Sequence, residues 1–162
     1  MKRLLAIVLS FAIMCSYAAC AEQPSGDDPS VSAVTVDLNA VKDKIITDLA
    51  LVEPLEIPAE NAHAMYSLDP DDVEEIVCLC TLEGAFPDEI IMIKAKNGDA
   101  VNRIEDQLEA HLANKINQAT NYDADSLALL KECKVEIVGN YVHLFISAKS
   151  AQMCEIFEAA KK

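Results

Sequence analysis

The stretch that decides the fold is residues 75–96, EIVCLCTLEGAFPDEIIMIKAK. Its two halves are rich in apolar and β-branched residues, and they are separated by the short segment Gly84-Ala85-Phe86-Pro87. Apolar runs of about eight residues that flank a connection with Gly and Pro are typical of strands joined as an antiparallel hairpin. We therefore predict strands over 75–82 and 89–96.

Working outward, the same signals recur near the C-terminus, with helical spacing between the two pairs of strands. A second hairpin is predicted at 134–138 and 141–147, around Gly139-Asn140. Apolar residues at helical spacing predict helices over 38–49 behind an Asp37 N-cap, from about Asp99 to 119, and around 153–160. Shorter helices are expected at 59–66 and, behind Asp125, at 126–132, and Pro54 and Pro58 indicate an extended connector.

The order α-β-β-α-β-β-α predicts an α+β fold with a mainly antiparallel, four-stranded sheet made of two hairpins. Alternation along each strand sorts the side chains into two faces. We assign one set to the core beneath the long and final helices: Ile76, Cys78, Cys80, Leu82, Ile91, Ile93, Val135, Ile137, Val142, Leu144 and Ile146.

The opposite face is too apolar at its middle for a plain solvated surface. It includes Val77, Ile90, Lys94, Lys134 and Glu136, and its candidate partner or dimer surface consists of Leu79, Met92, Tyr141, His143 and Phe145. Large exposed apolar patches are uncommon on monomers, so the alternative is that the first helix, around Val41 and Ile45, covers this face. Solvent exposure of Leu79, Met92 and Phe145 decides between the two.

The N-terminus predicts export. Lys2 and Arg3 precede an apolar run over 4–14, which is too short to cross about 30 Å of hydrocarbon and is typical of a signal peptide. The following Ala18-Ala19-Cys20 resembles the lipobox of bacterial lipoproteins, which implies cleavage before Cys20 and its acylation. The alternative is ordinary cleavage after Ala21.

These signals divide the chain into three parts. Residues 1–19 are the predicted signal peptide, residues 20–33 a flexible polar tether anchored through lipid on Cys20, and residues 34–162 a single α+β domain. The predicted location is the extracytoplasmic side of the cell membrane.

Charge narrows the classes of partner. The 162 residues include 13 basic and 27 acidic ones, a net charge of −14, and removal of Lys2 and Arg3 makes it −16. Nucleic-acid binders need clustered basic residues, so that class is excluded. An acidic domain is also repelled by anionic lipids, so the lipid on Cys20 must provide the membrane attachment, with an envelope protein as the expected partner.

Three short motifs carry a family resemblance. They are Tyr66 before an acidic turn, a strand that opens with Asp88-Glu89-Ile90 and ends in Lys94-Ala95-Lys96, and the segment 138–142, VGNYV. Over residues 36–157 the chain resembles the family of domain of unknown function 4358, small bacterial lipoproteins with a similar order of elements. The resemblance implies location and fold, and it supplies no mechanism.

The cysteines are expected to be structural. Cys78 and Cys80 lie about 7 Å apart on one face of a strand, whereas the cysteines of structural zinc sites usually come from turns in which they converge. We therefore predict buried core thiols without metal. Disulfides remain open, because an exported protein meets oxidising conditions and Cys78, Cys80, Cys133 and Cys154 allow three complete pairings.

A calcium-loop spacing is also present. Asn121, Asp123, Asp125 and Glu132 occupy positions 1, 3, 5 and 12 of that spacing, but Ser126 stands where the loop needs Gly. A strand, not a helix, is predicted after Glu132. We therefore expect Asp125 to cap a short helix.

No catalytic constellation stands out. His63, His111 and His143 are far apart in sequence, and the acidic cluster of Asp69, Asp71, Asp72, Glu74 and Glu75 fits a solvated turn as well as a general base. The leading hypothesis is a non-catalytic, lipid-anchored binding domain without a cofactor. The alternative is a small exported hydrolase or thiol enzyme whose residues converge only in the fold.

Overall fold

The computed structural model describes residues 34–82, 87–120 and 123–162. The predicted signal peptide, Cys20, the predicted tether and residues 83–86, which include most of the predicted connection between the first two strands, lie outside these residues. The described elements, in chain order, are α1 (Leu38–Asp48), β1 (Leu55–Ile57), α2 (Ala59–Met65), β2 (Val73–Cys80), β3 (Glu89–Ala95), α3 (Gly98–Ala119), α4 (Ala124–Glu132), β4 (Val135–Val138), β5 (Tyr141–Ile146) and α5 (Ser150–Ala159).

The sheet is antiparallel throughout and has five strands, in the order β1-β2-β3-β5-β4. Both predicted hairpins are confirmed, as β2–β3 and β4–β5. The predicted count of four strands and the predicted element order are wrong, because the segment expected to be a connector forms β1 and pairs with β2. Pro54 and Pro58 flank this three-residue strand, a position that proline tolerates at a sheet edge.

Side-chain caps fix where three helices begin. Asp37 accepts a hydrogen bond from the backbone N–H of Ala40, as predicted, and Asn97 does the same for Ala100 at the start of α3. At α4 the capping residue is Asp123, whose carboxylate accepts from the N–H groups of Asp125 and Ser126. The prediction that Asp125 caps this helix is therefore wrong by two residues.

Helices cover both faces of the sheet, giving three layers. Helices α2, α3 and α4 pack on one face, which we call the α3 face, and helices α1 and α5 pack on the other, which we call the α5 face. The predicted sorting of strand residues into two faces holds, with Ile91, Ile93 and Val142 beneath α3. The final helix was assigned to the wrong face, however, because Met153 and Phe157 of α5 pack with α1.

Two members of the predicted core lie at its margin. Leu82 is 73% exposed and Ile137 is 40% exposed. Leu82 lies two residues beyond the end of β2, and Ile137 lies on the edge strand β4.

The two ends of the described domain meet. Thr35 and Lys162 exchange two backbone hydrogen bonds, with N···O distances of 3.3 and 3.0 Å. Beside them the backbone N–H of Val36 donates to the Tyr141 hydroxyl at 3.1 Å, which ties the start of the domain to β5.

Candidate functional site

The predicted partner surface is not exposed. Its five residues are each at most 2% exposed, and all of them lie on the α5 face: Leu79, Met92, Tyr141, His143 and Phe145. Helices α1 and α5 cover this face, so the alternative that a helix packs there is correct and the partner-surface prediction is wrong. The apolar middle of the face is a second core.

The four described cysteines are free. Cys78 is buried on the α3 face, where burial raises the pKa of its thiol to about 12. Burial and, as the next largest cause, the negative charge of Glu136 raise the pKa of the Cys154 thiol to about 11. Since the thiolate is the nucleophilic form, neither residue has the lowered pKa of a catalytic cysteine.

On the α3 face, Glu89 is the centre of a buried polar network. It opens β3 and is 5% exposed, and its two carboxylate oxygens face α3. One accepts from His111 Nε2 at 2.8 Å and the other from Lys115 Nζ at 2.5 Å. His111 and Lys115 are one helical turn apart, which brings both to the same carboxylate.

Burial opposes the charge of Glu89, but the hydrogen bonds from His111 and Lys115 outweigh it and hold the pKa of this carboxyl below its usual value. Tyr66 packs edge-on against His111, with ring centroids 4.8 Å apart, and burial raises its pKa. The Tyr66 hydroxyl has no hydrogen-bond partner among the described residues.

The cleft beside this network is small. Its volume is about 130 Å³, and it is lined by Met65, Tyr66, Ser67, Gln107, Ala110, His111 and Asn114. Sites for organic ligands usually measure about 300–1,000 Å³. With both oxygens of Glu89 engaged, the arrangement fixes α3 to the sheet and leaves little room for a substrate.

The α5 face holds a larger cavity between β4 and α5. Its volume is about 370 Å³, and its lining includes Cys133, Lys134, Glu136, Phe145, Ser150 and Cys154. The Lys134 side chain is 74% exposed, so the cavity reaches the surface at its rim.

His143 lies fully buried next to this cavity. Its ring stacks on Phe145 and packs against Phe157, with centroid distances of 4.8 and 4.2 Å. Neither ring nitrogen has a hydrogen-bond partner among the described residues, and the nearest anionic atom is Glu136 Oε2, 3.9 Å from Nε2. Burial lowers the pKa of His143 to about 4, so the imidazole is neutral at pH 7.

Glu136, His143 and Cys154 are brought together here, and their ligand atoms all lie within 4.8 Å of one another. Glu136 and His143 are cross-strand partners in the β4–β5 hairpin, and Cys154 comes from the second turn of α5. The hydrogen bond from Lys134, with Nζ 2.7 Å from Oε1, holds the pKa of Glu136 below its usual value. No motif in the sequence links these three residues, because Cys154 joins the pair only through the packing of α5.

The acidic turn does not form a general-base site. Asp72 accepts two hydrogen bonds from Arg103, at 2.8 and 2.5 Å, and the hydrogen bonding with Arg103 lowers the pKa of this carboxyl. Glu74 pairs with Lys94 at 2.6 Å. These ion pairs connect the turn to α3 and β3, so a structural role accounts for Asp72 and Glu74.

The calcium-loop spacing has a structural explanation as well. The Asp123 carboxylate is occupied by the start of α4, and the Ser126 hydroxyl adds a hydrogen bond of 2.5 Å to it. Asn121 lies outside the described residues.

Neither part of the predicted membrane attachment, the signal peptide or Cys20, lies within the described residues. Of the helices in the described part of the chain, none combines the length and the apolar character needed to cross a bilayer.

Comparison with known proteins identifies a family. A family model with the description "Domain of unknown function (DUF4358)" matches residues 47–147, which is more than half of the chain. The matched range runs from the end of α1 to the residue after β5 and therefore includes Glu89, Glu136 and His143, but not Cys154. No curated protein and no solved structure gives a match.

Proposed function

The chain belongs to the DUF4358 family, and from this premise we propose that it is a lipid-anchored extracytoplasmic domain with a non-catalytic binding role at the cell envelope. The proposal has two parts, the attachment through Cys20 and the binding role of the folded domain.

The attachment is supported by the order of signals at the N-terminus. A basic start, an apolar run of eleven residues and the small residues Ala18 and Ala19 lead directly to Cys20. A polar segment with two prolines follows, and the folded domain begins near residue 34. Two or more acyl chains give stable anchoring, which one chain does not.

In this proposal the predicted tether sets how far the domain extends from the membrane. The predicted tether, residues 20–33, has 14 residues, and a flexible chain of that length would have a root-mean-square span of about 20 Å. A domain held at this distance would reach other envelope components, while its net negative charge would keep it off anionic headgroups.

One observation carries the binding role: the cavity between β4 and α5. It combines about 370 Å³ of space with the carboxylate of Glu136 and the thiol of Cys154 in its lining, next to the unpartnered ring nitrogens of His143. Buried polar atoms normally have hydrogen-bond partners, so unsatisfied ones beside a cavity favour an occupant that supplies them.

The same geometry weighs against the alternative of a hydrolase or thiol enzyme. The Cys154 thiol is protonated at neutral pH, and the His143 nitrogen nearest the cluster is 3.9 Å from an acceptor rather than within hydrogen-bond reach. On the other face, Glu89 is already bound by two donors.

The attachment is tested by replacing Cys20. In the wild type we expect the protein in the membrane fraction, with an intact mass that corresponds to a chain starting at Cys20 and carrying acyl groups. Cys20→Ala should abolish the acylation and release the chain from the membrane fraction. Cys15→Ala is the matched control, because it removes a thiol five residues upstream, in the segment that is cleaved off.

An unmodified wild-type chain that begins at Glu22 would mean ordinary cleavage after Ala21, and the anchoring proposal would then be wrong.

A further inference from the structure

We propose that Glu136, His143 and Cys154 bind a zinc ion at the cavity between β4 and α5. The inference rests on this cavity as the binding site of the proposed function and does not depend on attachment through Cys20.

The geometry suits one small cation. The three ligand atoms come from β4, β5 and α5 and lie within 4.8 Å of one another. Zinc bonds of about 2.0–2.3 Å place tetrahedral ligands roughly 3.5 Å apart, so closure around the ion needs side-chain shifts of about 1 Å. Glu136 and Cys154 are only partly buried, and the cavity beside them leaves space for that adjustment.

His143 supplies the strongest reason to expect a ligand. It is fully buried, and both of its ring nitrogens lack a partner among the described residues, which is costly for a polar group in an apolar environment. The imidazole is the commonest metal ligand among side chains, and it binds through the lone pair of one ring nitrogen. A zinc ion next to Nε2 would satisfy this nitrogen.

Glu136 presents its second carboxylate oxygen to the site. Its Oε1 is bound by Lys134 at 2.7 Å, whereas Oε2 is the oxygen near His143 Nε2. Lys134 therefore fixes the orientation of the carboxylate in the way that outer hydrogen bonds commonly orient metal ligands.

Charges balance when Cys154 loses its proton. Binding forms a Zn–S bond, breaks the S–H bond and releases one proton to solvent, since the thiolate is the form that ligates metal. The two charges of Zn²⁺ are then matched by the Glu136 carboxylate and the Cys154 thiolate.

The set of donors selects the metal. One thiolate and one imidazole favour zinc, whereas calcium and magnesium prefer oxygen ligands alone. Three protein ligands leave the fourth tetrahedral position open, and the cavity provides space there for water or a group from a ligand.

The experiment is a metal titration of the purified full-length protein after chelator treatment. We expect one equivalent of Zn²⁺ to bind, with the release of more protons in the wild type than in Cys154→Ser. Co²⁺ in place of zinc should give the charge-transfer absorption of a cobalt thiolate. Cys154→Ser and Glu136→Gln should each weaken zinc binding about 100-fold or more, because loss of an outer hydrogen bond alone costs 10–100-fold.

Two matched variants serve as controls. Glu132→Gln changes a second glutamate in the lining of the cavity, and Cys80→Ser removes another partly buried thiol. Both should bind zinc as the wild type does. Circular dichroism of each variant tests whether the fold is retained.

The inference is overturned if the folded wild type does not bind zinc stoichiometrically, or if Cys154→Ser and Glu136→Gln bind it as tightly as the controls do. Acylation of Cys20 is measured separately by mass, so failure to bind zinc in a correctly anchored protein would refute this inference and leave the anchoring intact.

Discussion

Among single residues, Glu89 shows how burial changes the contribution of an ion pair to the free energy of unfolding. The exposed pair of Lys44 and Asp48, with a distance of 2.7 Å, belongs to a class worth about 0–1 kcal/mol. Glu89 is buried and bound by His111 and Lys115, and removing one partner of such a group costs about 3–5 kcal/mol because the others remain desolvated. The contribution of the Glu89 network should therefore be visible in the stability of the whole domain.

We predict that Glu89→Gln lowers the free energy of unfolding by about 3 kcal/mol at pH 7, as measured by urea denaturation. Glu109→Gln, an exposed position on α3, the helix that carries His111 and Lys115, is the control and should change it by less than about 0.5 kcal/mol.

The pH dependence gives a second measurement on the same variant. The pKa of Glu89 is lowered in the folded protein, so its stabilisation is present above the ordinary value of 4.5 and is lost as the pH falls through the lowered value. In Glu89→Gln the free energy of unfolding should fall less steeply as the pH is lowered than it does in the wild type. The same pH dependence in both proteins would contradict the role assigned to the carboxylate.

The candidate zinc site shows what the sequence could predict at this scale. A two-residue turn at Gly139-Asn140 fixes the hairpin register, and counting outward from it pairs Glu136 with His143. The contact between Glu136 and His143 could therefore be predicted from the hairpin. Cys154 was not, because its place depends on which face of the sheet the final helix covers.

At the scale of elements, the secondary structure of each segment was easier to predict from the sequence than the face of the sheet on which the segment packs. The stripe of Met153, Ile156 and Phe157 identifies α5 as amphipathic, but an apolar stripe fits either face of a sheet that is apolar on both sides. Strand β1 was missed because three residues between prolines carry no period. Both errors concern tertiary contacts, which local pattern does not encode.

The packing of α5 predicts the effect of one truncation. Phe157 is fully buried against Tyr141, His143 and Phe145, so Phe157→Ala should cost about 3–5 kcal/mol in urea unfolding. Gln152→Ala, an exposed change on the same helix, should be close to neutral. A small effect of Phe157→Ala would mean that α5 does not cover this face.

For the whole molecule, charge is the dominant long-range term. Residues 34–162 contain 11 basic and 24 acidic residues, a net charge of −13. Self-repulsion at this charge destabilises the compact state, while exposed ion pairs contribute little in return. Screening should therefore stabilise the domain rather than weaken it.

We predict that raising NaCl from about 0.1 to about 1 M, which shortens the screening length from about 10 to about 3 Å, increases stability by about 1 kcal/mol, or roughly 4 °C in Tm. The measurement is thermal unfolding by circular dichroism. A variant with three exposed acids neutralised, Glu60→Gln, Asp106→Asn and Glu109→Gln, should gain less from salt. A Tm that falls with salt in the wild type would mean that attractive pairs outweigh the repulsion.

The backbone clip between Thr35 and Lys162 makes the folded domain a nearly closed ring of chain. A short covalent linker across the clip would join the two ends without disturbing either layer of helices, and the ring could then be opened at another surface loop. We therefore expect a circularly permuted chain, in which the elements follow one another in a different order, to reach the same fold. The same closure means that a protein fused after Lys162 emerges beside Thr35, close to the start of the described domain.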